Sequence, residues 1–125
     1  MNNAIVLVAR LLLAHIFLLA GFSKITGYAG TQGYMESVGI PGALLPLVIA
    51  LEIGGSLALI FGFLTRWAAL ALSAFCIASA VIFHRNFADQ TQMIMFMKNL
   101  AMAGGLLLLY VQGAGAFSVD AQRGK

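Results

Sequence analysis

The stretch Ala43–Leu64, ALLPLVIALEIGGSLALIFGFL, is too apolar to be anything but a membrane span, yet it carries Glu52 near its middle. A bilayer core takes roughly 20 apolar residues per helix. A carboxylate at that depth is costly unless it is paired, protonated or hydrated, so Glu52 is a functional-site candidate by default. Three other apolar stretches carry Arg10, Lys24, His84 and Lys98 at or inside their edges. The chain has 125 residues, 62% hydrophobic and 9% charged, and a soluble domain of that size needs far more polar surface. That length supplies four spans and no second domain. The expectation is one transmembrane domain over 1–125, with spans at about 4–23, 43–64, 67–84 and 93–112.

The net charge of +3 and pI near 9.4 do not point to nucleic acid, because the seven basic residues are scattered and form no patch. The N-terminal stretch has no basic lead and no small-x-small cleavage pattern, and Arg10 interrupts it, so it is read as a retained first helix. Cys76 is the sole cysteine, which excludes an internal disulfide or Cys-x-x-Cys pair and leaves packing as its expected role.

Gly-rich Ile25–Gly42 links the first two spans, and its Thr31–Val38 part suits a short helix on the membrane surface. Pro41 and Pro46 suit helix starts. Thr65–Arg66 is read as a tight turn, with Trp67 an interface anchor beside it. The tail after Val111 looks Gly-rich and unable to fold on its own. Short links make sequential helices antiparallel neighbours, so the fold class is an all-α membrane protein, an antiparallel four-helix bundle running up-down-up-down. Gly54–Gly55 and Gly104–Gly105 occupy corresponding places in the second and fourth spans, a hint of internal repetition.

Helical spacing gathers the polar residues into stripes. Arg10, Ala14, Phe17, Gly21 and Lys24 share one face of the first span, and His15 points away from it. Glu52 aligns with Ser56, Leu59 and Phe63, while the third and fourth spans carry stripes ending in His84 and starting at Lys98. Counting about 1.5 Å of rise per residue sets Glu52 near the level of His15, between Arg10 and Lys24. The expected site is a pocket opening towards the Ile25–Gly42 link. Glu52 and its counter-ion Arg10 form its floor, and Lys24, His84 and Lys98 its rim. The plainer alternative is a structural ion pair, with Lys24, Arg85 and Lys98 snorkelling to headgroups. Met93, Met95, Met97 and Met102 offer soft ligands, but only Met93 and Met97 converge on a helix and no His or Cys pair supports them. No metal site and no built-in cofactor are expected.

The residues taken in order resemble the DoxX family of small bacterial membrane proteins over nearly the whole chain. The likeness rests on RLLLAHIFLLAGFSKITGYAGT, Gly39–Pro41, LEIGGSLALIFGFLTRWAAL, the His84 end of the third span, MKNLAMAGGLLLLY and the tail AFSVD. It implies a multi-pass protein of the bacterial inner membrane, with family-like positions at Arg10, Lys24, Glu52, His84, Lys98 and Asn99. It also implies association with redox chemistry, since some relatives are described as small subunits of quinone-linked oxidoreductases. The family supplies no agreed catalytic residues to carry over.

Two functional expectations follow. The first is a redox-linked membrane component that binds a quinone or small anion in the polar seam, as an accessory subunit rather than a self-sufficient enzyme. There His84 or Lys98 would donate to a quinone carbonyl. The second is a non-enzymatic anchor or scaffold for partner proteins, or a small-solute transporter. The expected partners are the lipid bilayer, a soluble or membrane redox enzyme, and further copies of the chain as a homo-oligomer. Arg10, Arg66, Arg123 and Lys125 against Lys24, Arg85 and Lys98 favour cytoplasmic termini. Tyr28, Tyr34 and Glu36 are then expected over the pocket mouth on the opposite side.

Overall fold

The computed structural model describes residues 2–84 and 86–123, and no strand occurs among the described residues. Its helices are α1 (Asn3–Thr26), α2 (Tyr28–Ser37), α3 (Leu45–Phe61), α4 (Thr65–Phe83), α5 (Gln90–Gln112) and α6 (Val119–Arg123), with a 3-10 turn at Gly42–Leu44 ahead of α3. Four helical segments are long and apolar enough to cross a membrane: α1, Gly42–Phe61, α4 and α5. Their outward faces carry Ile5, Leu12, Leu47 and Leu108, all strongly exposed, as lipid-facing positions require. Arg85 and Lys125 of the charge pattern lie outside the described residues.

Local chemistry explains most helix ends. Asn2 caps α1, its side chain accepting from the amides of Ala4 and Ile5. The expected short helix is present and slightly longer than the sequence suggests. It starts one residue after α1, beyond Gly27. It stops where the Ile40 amide donates to the Met35 carbonyl at 2.9 Å, a closure that needs the left-handed residue Gly39 (φ 86). Pro46 then sits in the first turn of α3.

One expectation fails at the opposite end of the bundle, and the tail there is ordered by the rest of the chain. The turn between the second and third spans is Gly62–Leu64 rather than Thr65–Arg66, and Thr65 already belongs to α4. Its start is capped from far along the chain. The Asp120 carboxylate accepts from the Leu64 and Thr65 amides at 2.7 and 2.8 Å, and the Asp120 amide donates to the Gly62 carbonyl. The tail is therefore folded: Arg10 donates to the Phe117 carbonyl, the Ala116 amide donates to Asn3 Oδ1, and Gly115 packs on Val6. Gly62 has left-handed φ (71) and no room for a Cβ, which would overlap both Arg10 and Ser118. A strap that needs α1, the α3–α4 turn and the tail together leaves no local sequence signature.

The long helices pack mainly as two pairs, α1 with α3 and α4 with α5, joined through α3 and α4. Gly21 meets Ile53 while Gly62 meets Arg10, so α1 and α3 run in opposite directions. Ser73 donating to the Ala103 carbonyl, and His84 bonding Gln92, likewise set α4 antiparallel to α5. Ala14, Phe17, Leu59, Leu72, Cys76 and Leu106 form the core, with Cys76 fully buried. Small residues bring the helices close: a Cβ on Gly21 would lie 2.6 Å from Ile53, and one on Gly55 3.0 Å from Leu72. In the paired glycines of the second and fourth spans, Gly55 and Gly105 pack on a leucine of another helix, while Gly54 and Gly104 face open space. α1 and α5 hardly touch, and Leu13 against Gly105 is one of their few approaches. A cleft follows that seam.

Candidate functional site

The upper part of the cleft is a cavity of about 330 Å³. Each helix lining it contributes a stripe at helical spacing: Phe17, Ala20 and Lys24 from α1, Val48 and Glu52 from α3, Phe75, Ser79 and Phe83 from α4, and Met95, Asn99 and Met102 from α5. Thr31, Tyr34 and Met35 of α2 close one side. Tyr34 stacks on Phe83 with ring centroids 5.4 Å apart and its hydroxyl donates to the Phe83 carbonyl, so α2 is latched to the end of α4.

Glu52 is 3% exposed and its carboxylate lies 2.7 Å from Lys24 Nζ. Lys24, held at Oε1, is its sole polar partner among the described residues. Arg10, the counter-ion expected from the sequence, is not there. It is fully buried at the other end, in the tail strap, fourteen residues and about 21 Å of helix away from Lys24. Two geometrical facts explain the exchange. Gly21, not His15, lies level with Glu52. Helical side chains also lean towards the N-terminus, which carries Lys24 back to Gly21's level and Arg10 away from it.

Of the six site residues read from the sequence, Lys24, Glu52, His84 and Asn99 line the cavity; Arg10 and Lys98 do not. Lys98 is exposed next to Asn99. His84 Nδ1 donates to Gln92 Oε1 at 3.0 Å, which leaves Nε2 for other partners. Asn99 Nδ2 donates to the Met95 carbonyl one turn back, leaving its Oδ1 and second amide hydrogen. His15 is exposed and bonds the Leu12 carbonyl on its own helix. Of the loop residues placed over the mouth, Tyr34 lines the cavity, whereas Tyr28 and Glu36 do not. Of the four clustered methionines, Met93 and Met97 are exposed, and Met95 and Met102 line the cavity.

Sequence reasoning placed Tyr34 near the mouth but missed Ser79 and the aromatic walls. The spacing 75, 79, 83 was legible as a stripe, but it is mostly aromatic and reads as ordinary core. The site as built combines an ion pair at the floor, aromatic and thioether walls, and a few hydrogen-bonding groups at the rim. It offers apolar contact along its walls and hydrogen-bonding groups at its floor and rim.

Among known proteins, the DoxX family model matches residues 5–85. The chain is 57% identical over 115 residues to the inner membrane protein YqjF of Escherichia coli (strain K12), covering 92% of this chain and 88% of that one. It is 37% identical over 124 residues to the inner membrane protein YphA of the same organism, covering 93% and 88% respectively. No solved structure matches it. Four helices able to span a bilayer, a family match over most of the chain and relatives of this extent identify it: the chain is an integral inner-membrane protein and belongs to the DoxX family.

Proposed function

We propose that the cavity binds the ring of a quinone on behalf of a partner oxidoreductase, so that the protein acts as a redox-linked membrane component. The observation that carries this reading is the pairing of Lys24 with Glu52 at the floor of an aromatic-walled cavity. An anion is the weaker candidate, because Lys24, the cation at the floor among the described residues, is paired with Glu52 and Lys98 stands outside. The ring would rest among Phe17, Phe75 and Phe83. One carbonyl would accept from Lys24 Nζ, which has hydrogens beyond the one directed at Glu52, and the other from Ser79 or Asn99. Glu52 and His84 Nε2 are acceptors suited to the hydroxyls of the reduced form. The bound quinone supplies reversible two-electron, two-proton chemistry, and the partner supplies the electrons.

Protein stripped of lipid in detergent is expected to take back quinone to saturation at one site per chain, and Lys24→Met to weaken that uptake about tenfold, as loss of a charge-assisted hydrogen bond does. Failure of the wild-type protein to take up quinone would leave the anchor or scaffold reading in its place.

Cytoplasmic termini belong to the same proposal, supported by Arg66 and the basic residues of the tail. A cysteine at Gly30, where a Cβ meets nothing within 4 Å, tests it in a Cys76→Ala background. It should react with an impermeant maleimide once the outer membrane is permeabilised, and a cysteine at exposed Gln122 should not. The reverse pattern would invert the orientation.

A further inference from the structure

The cavity is only the upper part of the cleft between α1 and α5. Below it an open groove of about 670 Å³ runs between Ile5, Leu12 and Leu13 on α1 and Gly105, Leu108 and Leu109 on α5. The two spaces adjoin: Ile16 and Met102 line the cavity, and they stand one helical turn from Leu12 and Gly105, which line the groove. Ile16 and Met95 line the cavity while remaining 42% and 40% exposed, so the cavity opens sideways at the seam, into the lipid zone. The groove is apolar until Asn2 and Gln112 at its far end. From Gly105 to Gln112 it follows α5 for about 10 Å.

We infer that the ligand of the cavity carries a hydrocarbon tail, and that this tail leaves through the α1–α5 opening and lies in the groove. The inference rests on the quinone reading and narrows it to lipid-soluble, long-tailed quinones. The occupant is argued from continuity: a ring seated between Lys24 and the aromatic walls has an apolar opening at the exposed Ile16 and Met95, and the groove begins one helical turn below it. A tail leaving lipid for this groove gains little from the hydrophobic effect, since its surroundings are apolar in both places. What it gains is close packing against the two helices. The groove therefore fixes where the tail lies more than how tightly the ligand binds, and its test must read position.

Two quinone probes, one with a diazirine on the ring and one with a diazirine on the tail, are photolysed with the full chain in lipid discs, and the labelled residues are mapped by mass spectrometry. The ring probe is expected to label Phe75 or Phe83, and the tail probe Leu12 or Leu108. Ala9→Phe, which fills the groove, should remove most of the tail label while the melting temperature stays unchanged. Leu108→Trp, at an exposed position, gives the same readout if Ala9→Phe fails to fold. Ring label in the cavity with tail label scattered over lipid-facing positions such as Leu47 and Phe61 would overturn the groove and leave the quinone site standing. A phospholipid with a diazirine on its acyl chain that labels the groove undiminished by excess tailed quinone would also overturn it. No ring label in the cavity would overturn both readings.

Discussion

Arg10→Ala is expected to destabilise the protein by about 3–5 kcal/mol, the range for removing a large buried side chain or one member of a buried polar cluster. Arg10 is 0% exposed and reaches the Phe117 carbonyl from α1, which ties the tail to the helix that begins the chain. Its guanidinium fills the space beside Gly62 and lies in the field of Asp120, whose carboxylate caps the start of α4. Truncation leaves a void, an unmet carbonyl and a strap held at fewer points. Asp120→Ala removes two amide acceptors and should cost less, about 1–2 kcal/mol. Thermal melting in mild detergent gives the order, and limited proteolysis should show cleavage near Phe117 earlier in both variants than in the wild type. An Arg10→Ala protein that melts with the wild type and keeps its tail protected would remove the strap from the account.

The Lys24–Glu52 pair makes the second large prediction. Lys24→Ala leaves a buried carboxylate with no partner and should cost about 2 kcal/mol; the full penalty of a broken buried pair is reduced because Lys24 is 27% exposed. Glu52→Gln keeps shape and an acceptor oxygen, so it should cost less. The double variant should recover most of the Lys24→Ala loss, giving a coupling of about 1–2 kcal/mol in the cycle. The same cycle between Arg10 and Glu52 should show none, since Arg10 sits against Gly62, ten residues and about 15 Å of helix from Glu52. Coupling between Arg10 and Glu52 with independence of Lys24 from Glu52 would restore the pairing that helix counting alone suggests.

What the sequence made legible was whatever depends on one helix at a time. Spans followed from apolar length, the short helix from Thr31–Val38, and the polar stripes from spacing; Lys24, Glu52, His84 and Asn99 do share one cavity. What it hid depends on register between helices. Glu52 pairs with Lys24 rather than Arg10 because α1 and α3 meet at Gly21–Ile53, a contact fixed by close packing and not by counting from span ends. Lys98 and Asn99 are neighbours in sequence, but about 100° of helix rotation per residue puts only Asn99 on the cavity side. The tail strap was hidden for a related reason: Asp120 finds its amide partners 55 and 56 residues back along the chain.

The quinone content of protein taken directly from the membrane in polymer discs tests the central claim most directly, with Ala20→Phe as the comparison, because Ala20 lines the cavity and phenylalanine there occupies the ring's space. The wild-type protein is expected to carry about one quinone per chain, as a single small-molecule cavity allows, and the Ala20→Phe protein very little at an unchanged melting temperature. Equal quinone in both proteins, or none in the wild type, would contradict it.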